Sequence, residues 1–83
     1  MKTYFQVCAR YALQKGIPQL VGLSLHSTSD FFPFIIFTNS PFVYSRFFKS
    51  VQEAENFINY LFTHYPNSTA PRPVLDANQN NLF

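Results

Sequence analysis

The side chains that could carry out chemistry in this sequence are few and far apart. Cys8 is the only cysteine, and the two histidines are His26 and His64. A cysteine nucleophile needs a nearby base, and acid–base catalysis needs groups placed at a matching spacing. Asp30 and Asp76 are isolated in the sequence, so catalysis by a pair of carboxylates is unsupported. The sequence therefore predicts a protein that is not an enzyme.

Metal and cofactor binding are predicted to be absent for a similar reason. A structural zinc site needs four ligands, and one cysteine with two scattered histidines does not supply them. Cys8 falls among apolar residues, where a free cysteine usually behaves as a small buried hydrophobe. We expect no metal, no cofactor and an unreactive thiol.

The composition is that of one small domain rich in aromatic residues. Eleven Phe and five Tyr together make up 19% of the 83 residues. Large aromatic rings can supply much of the core of a small domain. A net charge of +2 is too low for a strong nucleic-acid binder. The first fifteen residues lack the apolar core of a secretory signal, and the longest apolar run, residues 31–37, is too short to cross a bilayer. We expect an intracellular protein of the nucleus or cytoplasm, with no membrane partner.

The first element is predicted to be a helix over residues 3–15. Its apolar residues recur at three- and four-residue spacing: Tyr4, Val7, Cys8, Tyr11 and Ala12. Gly16 suits the left-handed position after a helix, and Pro18 prevents continuation of the helix. A strand over residues 4–11 is the alternative, since aromatic residues and valine favour sheets.

Three strands are predicted next, over residues 19–26, 31–38 and 42–48. The first alternates between apolar and polar residues, and the other two are rich in aromatic and β-branched residues. Pro33 restricts the second strand to a strand start, an edge or a bulge. The turn residues 39–41 favour a hairpin between the second and third strands.

The last helix has the clearest signals in the sequence. Ser50 is a good N-cap, Glu53 completes a capping box, and Pro66 ends the helix. Its apolar face comprises Val51, Ala54, Phe57, Ile58, Leu61, Phe62 and Tyr65. Residues 67–83 are rich in Pro, Asn and Ser, which predicts a disordered tail after a domain of residues 1–66. The predicted fold class is α+β in the order α-β-β-β-α, with two helices on one face of a three-stranded antiparallel sheet.

Three stretches of the sequence resemble the double-stranded-RNA-binding domain, most closely the plant type in Dicer-partner proteins of RNA silencing. They are "YALQKGIP" from Tyr11, Phe31 at the start of the second strand, and "RFFKSVQEAE" from Arg46. The match spans residues 4–61 and implies the family's α-β-β-β-α fold. In that family the first helix, the loop between the first two strands and the start of the last helix contact the RNA duplex, which is read by its shape.

The departures from the family pattern fall on its RNA-contacting positions. Val51, Gln52 and Glu55 stand where the family has lysines, and the Gly-Pro of its minor-groove loop is missing. Loss of two or three phosphate contacts removes most of the electrostatic part of RNA affinity. The resemblance leaves four candidate RNA contacts: Arg10, His26, Lys49 and Gln52.

The resemblance implies that protein contacts replace these RNA contacts. Members of the family that have lost RNA binding commonly dimerise through their third strands, and a strand edge with aromatic neighbours is suited to this pairing. The interface candidates on the edge of the predicted third strand are Phe42, Val43, Tyr44, Arg46 and Phe47. The leading hypothesis is a non-enzymatic adaptor in a small-RNA-processing complex, whose partner is a second copy or another protein of this family.

Two alternatives to the adaptor hypothesis stay open. The first is weak, sequence-independent binding of double-stranded RNA through the four residues named above. The second is an unrelated small α+β protein, or a viral inhibitor, that shares the order of elements.

Overall fold

In the computed structural model, the described residues 2–38 and 40–75 form a four-stranded antiparallel sheet with one helix packed on one face. The strand order in the sheet is β2-β1-β4-β3. The elements are β1 (Tyr4–Gln14), β2 (Ile17–Thr28), β3 (Ile36–Thr38), β4 (Ser40–Phe48) and α1 (Val51–His64). The coarse α+β class is therefore correct, but the predicted order of two helices around three strands is wrong.

The predicted first helix is wrong because residues 4–14 form β1. Phe5, Val7 and Ala9 point to the helix side of the sheet, and the polar residues between them point to the other side. A tight turn joins β1 to β2, with positive φ angles at Lys15 (55°) and Gly16 (79°). Two-residue hairpin turns of type I′ need positive φ at both central residues. The glycine that resembled a helix stop is thus part of a hairpin turn.

The three predicted strands are found, with different lengths. The strand predicted over residues 19–26 is confirmed as β2, and that over residues 42–48 is confirmed as β4. The strand predicted over residues 31–38 is shortened to β3, which begins only at Ile36. Pro33 has no N–H for a sheet ladder, which is consistent with the late start of this strand. The predicted hairpin is confirmed, since β3 and β4 pair antiparallel.

The last helix is confirmed as α1, together with its predicted N-cap. Ser50 Oγ accepts a hydrogen bond from the Glu53 N–H at 3.1 Å, which satisfies one backbone donor of the first helical turn. Glu53 Oε1 accepts a hydrogen bond from the Lys49 N–H at 3.3 Å. This second bond reaches the residue before the N-cap, whereas the predicted capping box would place it on the N–H of Ser50.

The core lies between α1 and the face of the sheet that α1 covers, in two adjoining clusters. One cluster contains Val7, Leu25, Ala54 and Ile58, and the other contains Ala9, Leu20, Leu61 and Ala70. Aromatic side chains close the margins of both clusters: Phe5, Tyr11, Tyr44, Phe48, Phe57, Phe62 and Tyr65. The many rings thus surround a small aliphatic centre.

The described residues after the helix contact the sheet. The Ser68 hydroxyl and the Thr69 N–H both donate to the Leu20 carbonyl oxygen, at 2.8 and 3.2 Å. Ala70, two residues beyond Ser68, is buried against Leu61 and the sheet. This stretch belongs to the predicted disordered tail, whose remaining residues 76–83 lie outside the described residues.

Candidate interaction surface

The sheet divides the five predicted interface residues between its two faces. Val43 and Phe47 point to the face opposite α1, where Val43 pairs with Arg10 and Phe47 with Gln6. Phe42, Tyr44 and Arg46 point to the helix side. β4 lies between β1 and β3, so the expectation that this strand forms the sheet edge is corrected. The outermost strand on that side is β3.

The face opposite α1, which we call the open face, carries small polar side chains that bond to one another. Gln6 Nε2 donates to Ser45 Oγ at 3.0 Å, and Cys8 Sγ lies 3.2 Å from the same oxygen. On β2, His26 Nε2 lies 3.0 Å from Ser24 Oγ. Cys8 is half-buried on a strand rather than within a helical apolar stripe, which corrects the expected setting of the thiol.

Arg10 lies flat against the backbone of β2 on the open face. Its partner across the ladder is Gly22, where an added Cβ would come within 3.2 Å of the Arg10 Nη2 atom. That distance is shorter than ordinary van der Waals contact, so glycine provides the room for the guanidinium. The Arg10 side chain nevertheless remains exposed.

The four candidate RNA contacts do not meet at one surface. Arg10 and His26 lie on the open face, but their positions along the strands differ by four residues, or about 13 Å. Lys49 precedes α1, and its Nζ atom lies 5.2 Å from the centre of the Phe31 ring. Gln52 is on α1, bonded to Asn56 at 2.9 Å, and α1 covers the opposite face of the sheet.

A pocket of about 290 Å³ lies beside the end of α1. Its lining residues are Tyr11, Pro18, Phe37, Phe42, Tyr44 and Tyr65. The hydroxyls of Tyr11 and Tyr44 lie 2.9 Å apart and share a hydrogen bond. Burial raises the pKa of both tyrosines above the ordinary value, and for Tyr11 the hydrogen bond with Tyr44 raises the pKa further. Both hydroxyls are therefore neutral at physiological pH.

These raised pKa values predict a loss of stability at alkaline pH. The unfolded chain releases tyrosine protons from about pH 10, whereas the folded chain retains those of Tyr11 and Tyr44. The contribution of the two tyrosines to the free energy of unfolding is fully present below about pH 10. It falls as the pH rises from there toward the raised pKa values of the folded chain. The slope is at most about 1.4 kcal/mol per pH unit for each tyrosine, and smaller here because both rings are partly solvated.

Urea unfolding measures this slope when it is repeated between pH 8 and pH 11 in steps of about 0.5 pH unit. The Tyr11→Phe and Tyr44→Phe double variant is the matched control, because it keeps the rings and removes the ionising hydroxyls. Its stability is expected to vary less with pH. An equal slope in the parent and the double variant contradicts the prediction.

The segment before and within β3 exposes four large apolar side chains. Their exposed fractions are 39% for Phe32, 60% for Phe34, 43% for Ile35 and 60% for Phe37. We call these four residues the flank surface. The whole stretch of residues 31–38 contains no charged residue.

The flank surface borders two of the predicted interface residues. The Phe32 ring lies 5.2 Å from that of Phe47, and the Phe37 ring lies 5.9 Å from that of Tyr44. Sequence reasoning assigned the flank residues to a continuous strand and so missed their exposure. The signal that was missed is the unbroken apolar run. Strands of this kind are usually covered on both faces of the sheet. The predicted fold has helices on one face only, so part of this run had to be exposed.

The described residues offer little to other kinds of site. No group of three or more His, Cys, Asp and Glu residues lies close enough together to hold a metal ion in this part of the chain. Within residues 2–38 and 40–75, no helix has the length and hydropathy needed to cross a membrane.

No family model, curated protein or solved structure matches this chain. Membership in the double-stranded-RNA-binding family therefore stays a prediction from the quoted residues, and the fold that the resemblance implied is wrong. The function proposed below depends on the surfaces of the molecule itself.

Proposed function

We propose that this domain is a non-catalytic protein-interaction module that docks onto its partner through the flank surface. The observation that carries the proposal is the exposure of four large apolar side chains within six consecutive residues, Phe32 to Phe37. Phe32, Phe34 and Ile35 line one pocket, whereas Phe37 lies on the helix side of the same sheet edge, beside Tyr44. Exposed apolar clusters of this size on a small domain often mark a site that another molecule covers.

The area of the flank surface is large enough to matter energetically. At about 200 Å² for a fully exposed large side chain, the four exposed fractions correspond to about 400 Å². Removing that area from water is worth about 10 kcal/mol before the entropy cost of association is subtracted. A partner that covers the whole surface can therefore bind with useful affinity.

The chemistry of this surface favours protein over nucleic acid. Nucleic-acid affinity depends mainly on cations that meet phosphates, and residues 31–38 carry none. Two cations lie beside this stretch. The Lys49 Nζ atom is 5.2 Å from the Phe31 ring centre. The Arg46 guanidinium lies 4.9 Å from the Phe57 ring centre and 5.3 Å from that of Phe48. The small-RNA setting followed from a fold that this chain does not have, so the proposal does not include it.

Site-specific photo-crosslinking of the full chain in living cells tests the proposal. The crosslinking residue p-benzoylphenylalanine replaces Phe34 in one sample and Tyr60 in the control, since Tyr60 is similarly exposed (58%) on α1. We expect protein adducts at position 34 in clear excess over position 60, identified by mass spectrometry. Equal yields at the two positions would remove the flank surface as the docking site.

A further inference from the structure

We infer that the partner at the flank surface is a second copy of this chain, paired edge to edge through β3 across a two-fold axis. This inference rests on the proposed function and names its partner. The pairing joins two four-stranded sheets into one continuous sheet.

The position of β3 makes this pairing possible. β3 is the outermost strand on its side of the sheet and pairs with β4 only along its inner edge. No strand among residues 2–38 and 40–75 lies against its outer edge, so its outward backbone groups can form a ladder with another chain. A two-fold axis at the middle of Ile36–Thr38 brings two such edges together antiparallel, with Phe37 opposite its own copy.

The charge of the surface favours a copy of itself as the partner. In a two-fold contact the same patch of both copies meets, so a patch with charge of one sign repels its own copy. Residues 31–38 are all uncharged, so these residues bring no like charges together. Aromatic side chains, which dominate the segment, are also the residues most enriched at the centres of interfaces.

The area of the contact agrees with a specific dimer. Two flank surfaces together expose about 800 Å² of apolar area. Interfaces are about 57% apolar by area, so an interface that covers all of this apolar area would have a total of about 1,400 Å². Specific, stable interfaces bury about 1,200–2,000 Å².

The start of the opposite edge strand, β2, is less suited to pairing with a further copy. On β2, the Leu20 carbonyl already accepts hydrogen bonds from Ser68 and Thr69 of the same chain. Pro18, near the start of β2, has no N–H to offer a further strand. Self-pairing through β3 alone gives a closed dimer rather than a filament.

Sedimentation equilibrium of the full chain from about 1 μM to about 1 mM tests the inference. The weight-average mass is expected to rise from the monomer value of 9.6 kDa towards twice that value. Phe37→Ser is expected to raise the dimer dissociation constant at least about 30-fold, because both copies lose an anchoring ring. Tyr60→Ser, at a similarly exposed position on α1, is the matched control and should leave the constant unchanged.

The strand register has its own test. With Cys8 replaced by serine, Phe37→Cys places the only thiol at the proposed axis. Opposed residues of antiparallel strands have Cα atoms about 4.5–5.5 Å apart, which suits a disulfide. Mild oxidation is expected to link Phe37→Cys into dimers and to leave Tyr60→Cys, in the same background, mostly monomeric. Equal linkage of the two variants contradicts the register.

The remaining outcomes separate this inference from the proposed function. If the parent chain stays monomeric and position 34 crosslinks to a different protein, the inference that the partner is a second copy is wrong. The proposed function would then still stand. A monomer without excess crosslinking at position 34 overturns both. If circular dichroism shows that Phe37→Ser does not fold, Phe34→Ser outside the strand replaces it.

Discussion

Replacing Ile58 with alanine is expected to lower the free energy of unfolding by about 2–5 kcal/mol, the usual cost of truncating a buried isoleucine. Ile58 is 2% exposed and packs on Val7 and Leu25 from the centre of α1. Alanine loses the transfer free energy of three carbons and leaves a cavity that the surrounding rings cannot fill completely. Alanine is the better helix former, so part of the cost is offset.

An effect of this size is a large fraction of the whole stability. A chain of 83 residues is expected to have a free energy of unfolding of about 4–12 kcal/mol. Urea unfolding followed by far-ultraviolet circular dichroism measures the change, because the chain has no tryptophan. Tyr60→Ala is the matched control, two residues along the same helix but 58% exposed, and should change stability by about 0.5 kcal/mol or less. Similar losses in both variants would contradict the assigned packing face of α1.

Ala70→Asp is expected to lower the free energy of unfolding by about 2–3 kcal/mol. Ala70 is 8% exposed and packs against Ala9, Leu20 and Leu61. A carboxylate placed there loses its hydration among apolar neighbours. Residues 68–70 can detach from the sheet so that water reaches the new carboxylate. The loss of stability therefore cannot exceed what these residues contribute through packing and their hydrogen bonds to Leu20.

Thr69→Asp provides the matched control for the Ala70 variant. Thr69 is exposed and bonds to Leu20 only through its backbone N–H, which aspartate retains. We expect a change of about 0.5 kcal/mol or less. The comparison by urea unfolding decides whether residues 68–70 belong to the folded unit in solution, as their burial indicates. Equal stability of both variants and the parent contradicts that assignment.

The elements that the sequence predicted correctly are those defined by nearby residues. The start of α1 follows from Ser50 and Glu53, which bond to backbone groups within four residues of themselves. The β3–β4 hairpin follows from turn residues that favour reversal of the chain. Signals of this kind act over one turn and do not depend on the rest of the molecule.

The first element was predicted wrongly because its residues fit two periods. Tyr4, Val7 and Tyr11 suit a helix, while Phe5, Val7 and Ala9 suit a strand with one buried side. The strand prevails because β1 is flanked by β2 on one side and β4 on the other, and both ladders satisfy its backbone. Those partners lie far along the chain, and a local pattern does not contain them.

The five interface residues named from the sequence stay a prediction. Two of them, Tyr44 and Phe47, lie beside the flank surface. The exposed residues themselves, Phe34 above all, were assigned to the interior of a strand. Whether an apolar residue is buried depends on what covers it, and that is a property of the assembled layers.

The sequence by itself determined α1 with its N-cap, the strands β2 and β4, and the buried face of α1 except for Val51, which is 40% exposed. These follow from residue type and short-range spacing. Only the tertiary structure decided that residues 4–14 are a strand, that β4 lies inside the sheet, and that the apolar run of residues 31–38 stays largely exposed. A single helix can cover only part of one sheet face, and α1 packs against β1 and β4, so the flank of β3 stays exposed.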